Sequence, residues 1–312
     1  MSASPSPVAR TGAPKPAAGL GRVLRLGAVV AALRLVWLTM PWTLGLLLGH
    51  ALDGRSHAFR TVATLGAWVV WALTLVVLLV PRTTSLTAIR VLVPATLPAA
   101  VWAALASDVG AETAVGLAAA AVATALALAA PVADAFADGS SYGDERRLVL
   151  RTPAALLLGP VELTWAVCVA GVAAGPLLLA ARLWVAGAVA LVVGLPLAGL
   201  AARSLHQLSR RWVVFVPAGF VLHDHLATAE PVLFQRRQVQ RLAPAEVSTD
   251  ALDLSSGAPG LTLEARLLEP HEIGLRRGRA TSETTEIEAF LFTPGRPGEL
   301  LAEARRRKFA VG

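Results

Sequence analysis

The stretch RSLHQLSRRWVVFV, residues 203–216, separates two kinds of sequence. Long apolar runs lie before it, and short alternating segments, turns and charged residues follow it. Within the stretch, Arg210 and Arg211 precede Trp212, and basic residues beside an aromatic one are typical of a membrane–water interface. The pattern predicts that the last membrane helix ends here and that a soluble domain follows over residues 208–312.

The composition is that of a membrane protein. The chain has 312 residues and is 55% hydrophobic, which is too apolar for a soluble protein of this length. Its formal charge of +7 comes mainly from arginines beside the apolar runs. There, positive charge sets membrane orientation and attracts anionic lipid, so we expect the lipid bilayer as a partner and no nucleic acid. The single cysteine, Cys168, lies inside an apolar run, which excludes a disulfide framework and a thiolate metal site.

Apolar segments long enough for membrane helices, which need about 20 residues each, occur six times. They cover residues 27–52, 62–80, 89–106, 114–136, 153–180 and 183–205. Prolines inside several of them favour kinked helices packed as a bundle. The sequence therefore predicts a six-helix transmembrane domain over residues 27–207. Residues 1–26 are rich in Pro, Ala and Ser without periodicity, and we expect a disordered cytoplasmic tail there.

Basic residues are shared unequally between the two sides of this arrangement. One side receives the N-terminal basic residues, the arginines of the stretch 203–216, and Arg82, Arg90, Arg146, Arg147 and Arg151. The other side receives Arg55, Arg60 and Arg182, together with the acidic Asp108 and Glu112. Arginine-rich loops stay in the cytoplasm, so we expect a multi-pass protein of the cell membrane with both termini cytoplasmic.

Ionisable residues enter the apolar segments at Arg34, Arg90 and Glu162. Charge at membrane depth is costly, so such residues are either functional or paired with one another. We predict that Glu162 pairs with Arg34 or Arg90 and locks the bundle. The alternative is a transport or channel site at Glu162 and Arg34. Polar residues are scarce in the outer half of the bundle, which favours the structural pair.

The most polar connection of the membrane half follows the fourth segment. Asp134 and Asp138 share one helix face, and the loop DGSSYGDERRLVLRTP, residues 138–153, continues from them. Its charged residues are Asp144, Glu145, Arg146 and Arg147. Together these groups could hold a cation or a phosphate, as in a membrane enzyme acting on lipid-linked substrates, or they could form a solvated cluster of ion pairs. We favour the ion pairs, because such clusters are common at surfaces.

After Trp212 the hydrophobic period changes to about two. Short strands over residues 212–293, in meander order, and a closing helix over residues 297–308 predict a small β-rich barrel or sandwich of about 100 residues. His223 and His225 share one face of a strand, but no third ligand accompanies them. The chain also lacks the sequence motifs of phosphate binding, zinc proteases and nucleophilic hydrolases, so we predict neither cofactor nor metal.

The segments RRWVVFVPAGFVLHD (210–224) and FLFTPGRPGELLAEA (290–304) resemble the first strands and the closing helix of bacterial pleckstrin-homology-like domains. The membrane half, with SYGDERR at 141–147, resembles uncharacterised actinobacterial integral membrane proteins. The first resemblance implies a domain for binding or assembly and no enzyme. Lipid-reading pleckstrin domains carry a basic loop where this chain has the short, uncharged Pro217–Ala218–Gly219, so we do not expect inositide binding.

The function that fits these features is a non-enzymatic membrane protein that anchors a cytoplasmic interaction domain. Its partners would be a membrane or cytoplasmic protein, or a second copy of itself. In the alternative, the chain is a transporter or channel component with a polar site at Glu162 and Arg34, regulated by the soluble domain.

Overall fold

The computed structural model describes residues 20–108, 110–278 and 281–312, and side chains within these ranges from residue 27 onward. Disorder predicted for residues 1–19 lies outside this description. The first helix begins at Leu20, inside the range predicted as a tail. In the described chain, six helical segments are long and apolar enough to cross a membrane, which confirms the predicted number. The chain is therefore compatible with a multi-pass membrane protein.

Several of the spans are broken where prolines stand, because proline lacks an N–H and clashes with the preceding turn. Pro41 lies in a turn inside the first span, Pro94 separates the two halves of the third, and Pro131 begins a separate helix after the fourth. In chain order the helices are α1 (Leu20–Thr39), a 3-10 turn (Met40–Trp42), α2 (Leu44–Leu52), α3 (His57–Leu79), α4 (Thr83–Leu92), α5 (Thr96–Ala106), α6 (Ala111–Leu128), α7 (Ala130–Asp138), α8 (Ala154–Leu157), α9 (Pro160–Ala180) and α10 (Trp184–Leu208).

Helices α1 to α7 surround one apolar core. Leu33, Trp37, Leu47 and Phe136 are among its fully buried side chains. The indole N–H of Trp37 donates to the carbonyl of Trp71 at 3.0 Å, and that of Trp71 donates to the carbonyl of Trp37 at 3.1 Å. This reciprocal pair joins α1 to α3 and leaves neither indole N–H unsatisfied at membrane depth.

Helices α9 and α10 form a tight hairpin beside this core. A methyl group added at Gly171 would lie 2.4 Å from the carbonyl oxygen of Gly194, so only glycine permits the close approach of the two backbones. No described residue of the hairpin belongs to the core of α1 to α7. Polar contacts connect the two parts: Trp165 Nε1 donates to the carbonyl of Val91 at 3.0 Å, and Thr87 Oγ1 lies 2.8 Å from His206 Nδ1.

The second half of the chain forms two four-stranded sheets and a closing helix. The first sheet has the order β1-β2-β3-β4, and the second has the order β5-β7-β8-β6, in which β6 and β8 are parallel. The elements are β1 (Arg146–Val149), β2 (Trp212–Val216), β3 (Gly219–His223), β4 (Val232–Gln235), β5 (Val239–Pro244), β6 (Leu252–Asp253), β7 (Leu263–Arg276), β8 (Ser282–Phe292) and α11 (Pro297–Arg306).

These strands leave two open sheets and do not close into a barrel, and the second sheet departs from the predicted meander. Strand β7 is longer than the predicted short strands, and its pairing with β8 has an irregularity between Arg266 and His271. A cluster of phenylalanines fills the space between the sheets, and Leu300 and Ala304 of α11 are buried against it. The predicted division into an apolar helical half and a β-rich half is confirmed at this level.

Strand β1 is the element that the sequence did not predict. It comes from the loop between α7 and α8, and it pairs with β2 along its full length. Leu148 is buried in the core of the β domain, whereas the next residue, Val149, is buried in the core of the helices. The boundary at residue 208 therefore leaves out one strand of the first sheet, and the whole hairpin α9–α10 is inserted between two paired strands.

Candidate functional site

A cluster of charged side chains lies where the helices meet the β domain. We call it the joint, and it consists of the side chains of Asp134, Asp138, Arg146 and Arg296 together with the backbone of Val149. Asp134 is 1% exposed, and its Oδ1 accepts a hydrogen bond from the backbone N–H of Val149 at 3.0 Å. Its Oδ2 lies 3.6 Å from Nη1 of Arg296, the residue that precedes α11. One carboxylate thus contacts α7, β1 and the start of α11.

Asp138 performs a similar role one turn further along α7. Its carboxylate accepts from the guanidinium of Arg146, from the backbone N–H of Arg147 at 2.9 Å and from Ser141 Oγ at 3.0 Å. Backbone bonds complete the joint, since Gly295 N–H donates to the carbonyl of Val149 at 2.8 Å and Arg151 N–H donates to that of Thr293 at 2.9 Å. The predicted cluster of ion pairs is therefore present, but it is largely buried and holds a strand in place.

The electrostatics of Asp134 follow from its burial. Burial raises the pKa of this carboxyl to about 6, while the Val149 N–H and the guanidinium groups of Arg296 and Arg146 oppose the rise.

A second set of contacts fixes both ends of the hairpin α9–α10. Arg211 is buried, and it donates through Nε to Asp224 Oδ1 at 2.7 Å and through Nη2 to Asp224 Oδ2 at 2.6 Å. Its Nη1 donates to the carbonyl of Arg151 at 2.9 Å. Arg211 therefore connects the chain before the hairpin, the chain after it and the end of β3.

The structure differs from the prediction that Arg210, Arg211 and Trp212 lie at a membrane–water interface. Arg210 is exposed, but Arg211 is buried and cannot reach lipid headgroups, because Asp224 supplies a bidentate acceptor inside the domain. Trp212 is also buried: its ring is stacked on His223 at 5.0 Å between centroids, and the guanidinium of Arg147 lies 5.5 Å from its centroid. The prediction of a membrane-interface role is wrong for Arg211.

The predicted pair of Glu162 with Arg34 or Arg90 is not formed among the described residues. The helix expected from residue 153 is interrupted at Gly159, whose φ of 122° is left-handed, and α9 begins at Pro160. Glu162 therefore stands exposed in the first turn and accepts from the backbone N–H of Gly159 at 2.9 Å. Arg34 donates through Nε and Nη2 to the carbonyl of Leu78 at 3.1 and 2.8 Å.

The remaining loop residues attach the loop to α11 and to itself. The carbonyl of Asp144 accepts from the guanidinium of Arg307, which also contacts Glu303 at 2.8 Å. Glu145 accepts from Arg147 and from the backbone N–H of Tyr142, both at 3.4 Å. These bonds hold the loop against the β domain along its length.

Concave sites lie away from the joint. A cleft of about 250 Å³ on the β domain is lined by Arg241, Glu264, Arg266 and neighbouring residues, and an open depression of about 370 Å³ lies beside His50, Asp53 and Arg60. Within the described ranges, no three His, Cys, Asp or Glu side chains are close enough together to hold a metal ion. Neither a family model, nor a curated protein, nor a solved structure matches this chain.

Sequence reasoning missed Arg296, Asp224 and the pairing of β1. Arg296 stands between Gly295 and Pro297, a pattern that marks a turn before a helix but does not identify a partner on α7. For β1, the segment RRLV shows no alternation of polar and apolar residues, and a run of four residues inside a polar loop is too short to distinguish from irregular structure.

Proposed function

We propose that the chain is a non-enzymatic, multi-pass protein of the cell membrane. It carries a pleckstrin-homology-like domain at the cytoplasmic face, and that domain assembles with a partner protein. The observation that supports this proposal best is the shared strand β1, which is bonded to β2 on one side and to Asp134 of α7 through Val149. A domain attached in this way has a fixed orientation on the membrane, which is what a platform for assembly requires.

The transport alternative has less support from the same contacts. Arg34 uses its guanidinium to satisfy the carbonyl of Leu78, and Glu162 satisfies the backbone at Gly159. Both side chains therefore perform local structural roles, whereas a transport pathway requires polar groups that are available to a substrate through the depth of the bundle.

The enzyme alternative is weaker for a related reason. Asp138 accepts from three donors of its own loop, and Asp134 lies against the Val149 N–H and Arg296. Carboxylates used in this way support the backbone of β1 and the start of α11, which is a structural role.

The cytoplasmic placement belongs to the proposal and is supported by the distribution of arginines. The pairing of β1 with β2 brings the connection after the fourth span to the same side as the C-terminal half, as six crossings require. Reporter fusions at residues 110 and 312 should give opposite signals. Signals from the same side would contradict the six-span topology.

Photo-crosslinking in native membranes tests the proposed function. A photoreactive amino acid is placed at the exposed Leu233, Val247 or Thr284 of the β domain, and at the exposed Leu105 of α5 as a matched control. We expect one defined protein adduct from positions of the β domain and none from position 105. Two results together would favour the transport alternative. The protein in liposomes would show a solute flux that depends on Glu162, and no position of the β domain would give an adduct.

A further inference from the structure

Strand β8 has one free edge. It pairs with β7 from Ser282 to Phe292, but on its other side it meets only the short β6, at Phe290 and Leu291. Within the part of the chain that the structure describes, no strand pairs with residues 282–288 on that side. These residues lie at the end of β8 that is farther from the joint, since the chain enters the joint at Gly295.

A free edge of this length has unmet hydrogen-bonding capacity. Alternate residues direct their N–H and C=O groups away from β7, and a run from 282 to 288 extends over about 23 Å at 3.3 Å per residue. Such an edge is the template on which an extended peptide can add a strand.

The side chains along this edge carry uncompensated negative charge. Glu286 lies directly opposite Glu272 of β7, and Glu288 follows on the same face of β8. All three are exposed, and no ion pair joins them to a basic side chain within residues 20–108, 110–278 and 281–312. Like charges placed opposite each other destabilise a sheet.

Several other acidic residues of the same domain have an arginine partner, namely Glu264, Glu283, Glu299 and Glu303. In a chain with a net charge of +7, the grouping of three carboxylates on two neighbouring strands is a local feature of the β8 edge.

We propose that the β8 edge receives an extended, basic segment of the partner protein as an added strand. Arginine or lysine side chains at alternate positions of that segment lie beside Glu286 and Glu288, with Glu272 one strand further away, and its backbone pairs with residues 282–288. This inference rests on the proposed function and names the surface and the chemistry of the partner.

The same charges decide against two other occupants. Pairing of this edge with the same edge of a second copy would bring Glu286 and Glu288 against their own kind, which costs free energy. An anionic lipid surface would be repelled by the same carboxylates. A basic polypeptide satisfies both the backbone groups and the side chains.

A peptide-binding experiment tests the edge directly. The full-length protein is placed in nanodiscs of neutral phosphatidylcholine, so that the lipid does not bind the probe. The probe is a labelled peptide of about nine residues that alternates arginine and valine, enough to span the free edge. Its matched control has the same arginines with proline in place of the central valine, which prevents strand pairing.

We expect the alternating peptide to bind at least about tenfold more tightly than the proline peptide, with an affinity that falls as salt rises. The double variant E286Q/E288Q should lose about tenfold in affinity, while E246Q, an exposed glutamate elsewhere on the domain, should bind normally. Amide hydrogen exchange of residues 282–288 should slow when the peptide is present, which reports the edge independently of the variants.

Three results would overturn this inference. They are equal binding of both peptides, normal binding by E286Q/E288Q with unchanged exchange at residues 282–288, and no binding at all. In the last case the glutamates only protect the edge from aggregation. Photo-crosslinked adducts at Leu233 or Val247 without any dependence on the β8 edge would leave the proposed function intact and remove only this inference.

Discussion

The guanidinium of Arg211 is paired in bidentate fashion with the carboxylate of Asp224, with Nε–Oδ1 and Nη2–Oδ2 distances of 2.7 and 2.6 Å. Both side chains are 2% exposed. Because the third donor of Arg211 satisfies the carbonyl of Arg151, the pair holds the two ends of the hairpin α9–α10 at the base of the β domain.

Replacing Arg211 with alanine should lower the free energy of unfolding by about 3–5 kcal/mol, because Asp224 is left as a buried, unpaired charge. The matched control is R210A, at an exposed neighbour, which should change stability by about 0.5 kcal/mol or less. Thermal unfolding of the full chain in detergent, followed by tryptophan fluorescence, measures both. The double variant R211M/D224L should be more stable than R211A, since it removes both charges. Equal effects of R211A and R210A would contradict the role assigned to the pair.

Asp134 should give the protein a distinctive pH dependence. Its pKa of about 6 in the folded state exceeds the value near 3.9 in an unfolded chain. The folded protein therefore binds more protons between those values, and the contribution of this group to stability is fully present below about pH 4 and is lost as the pH rises through 6. The full change amounts to about 3 kcal/mol for a shift of this size.

The variant D134N keeps an acceptor for the Val149 N–H but cannot ionise. We expect D134N to become more stable relative to the parent protein as the pH rises. Unfolding temperatures of both proteins, measured from pH 4 to 7.5, test this. A difference that stays constant across this range would show that Asp134 does not titrate in it.

The contact between α9 and α10 offers a test of packing in the membrane. G171A places a methyl group 2.4 Å from the carbonyl oxygen of Gly194, so it should destabilise the chain by about 1–3 kcal/mol. G199A, on the same hairpin, meets no atom within 4 Å and should leave stability unchanged or raise it slightly. The free energy of unfolding of both variants is measured in the same detergent. If G199A is destabilised as much as G171A, the close contact between Gly171 and Gly194 does not explain the effect.

The pairing of β1 with β2 allows a prediction of how fragments of the chain behave. Residues 208–312 expressed alone lack β1, so β2 becomes a free edge and the site of Leu148 in the core is empty. We expect this fragment to be less stable, by at least about 2 kcal/mol, than one in which residues 144–151 are joined to its N-terminus through a flexible linker. Urea unfolding of the two fragments measures the difference. A fragment 208–312 that is as stable as the extended one would mean that β1 is dispensable.

The sequence predicts most of the elements because the signals are local. Runs of about 20 apolar residues define the six spans, and alternation after Trp212 defines the strands. The partners are not local. The pairs Arg211–Asp224 and Asp134–Arg296 join residues from different elements, and no pattern within either segment identifies the other. The error at Glu162 arose from Gly159, which ends a short helix and allows a new one to begin, so that a residue expected deep in a span lies in its first turn.

The position of β1 also determines the order in which the molecule can be built. During synthesis, Leu148 and Val149 leave the ribosome before residues 160–208 of the hairpin, and β2 follows after it. The first sheet can therefore close only after both helices of the hairpin have been made, because its second strand does not exist earlier. It also requires that the hairpin returns β2 to the side on which β1 lies. A chain in which only one of the two helices crosses the membrane would leave β1 and the edge of β2 unpaired and open to recognition by quality control.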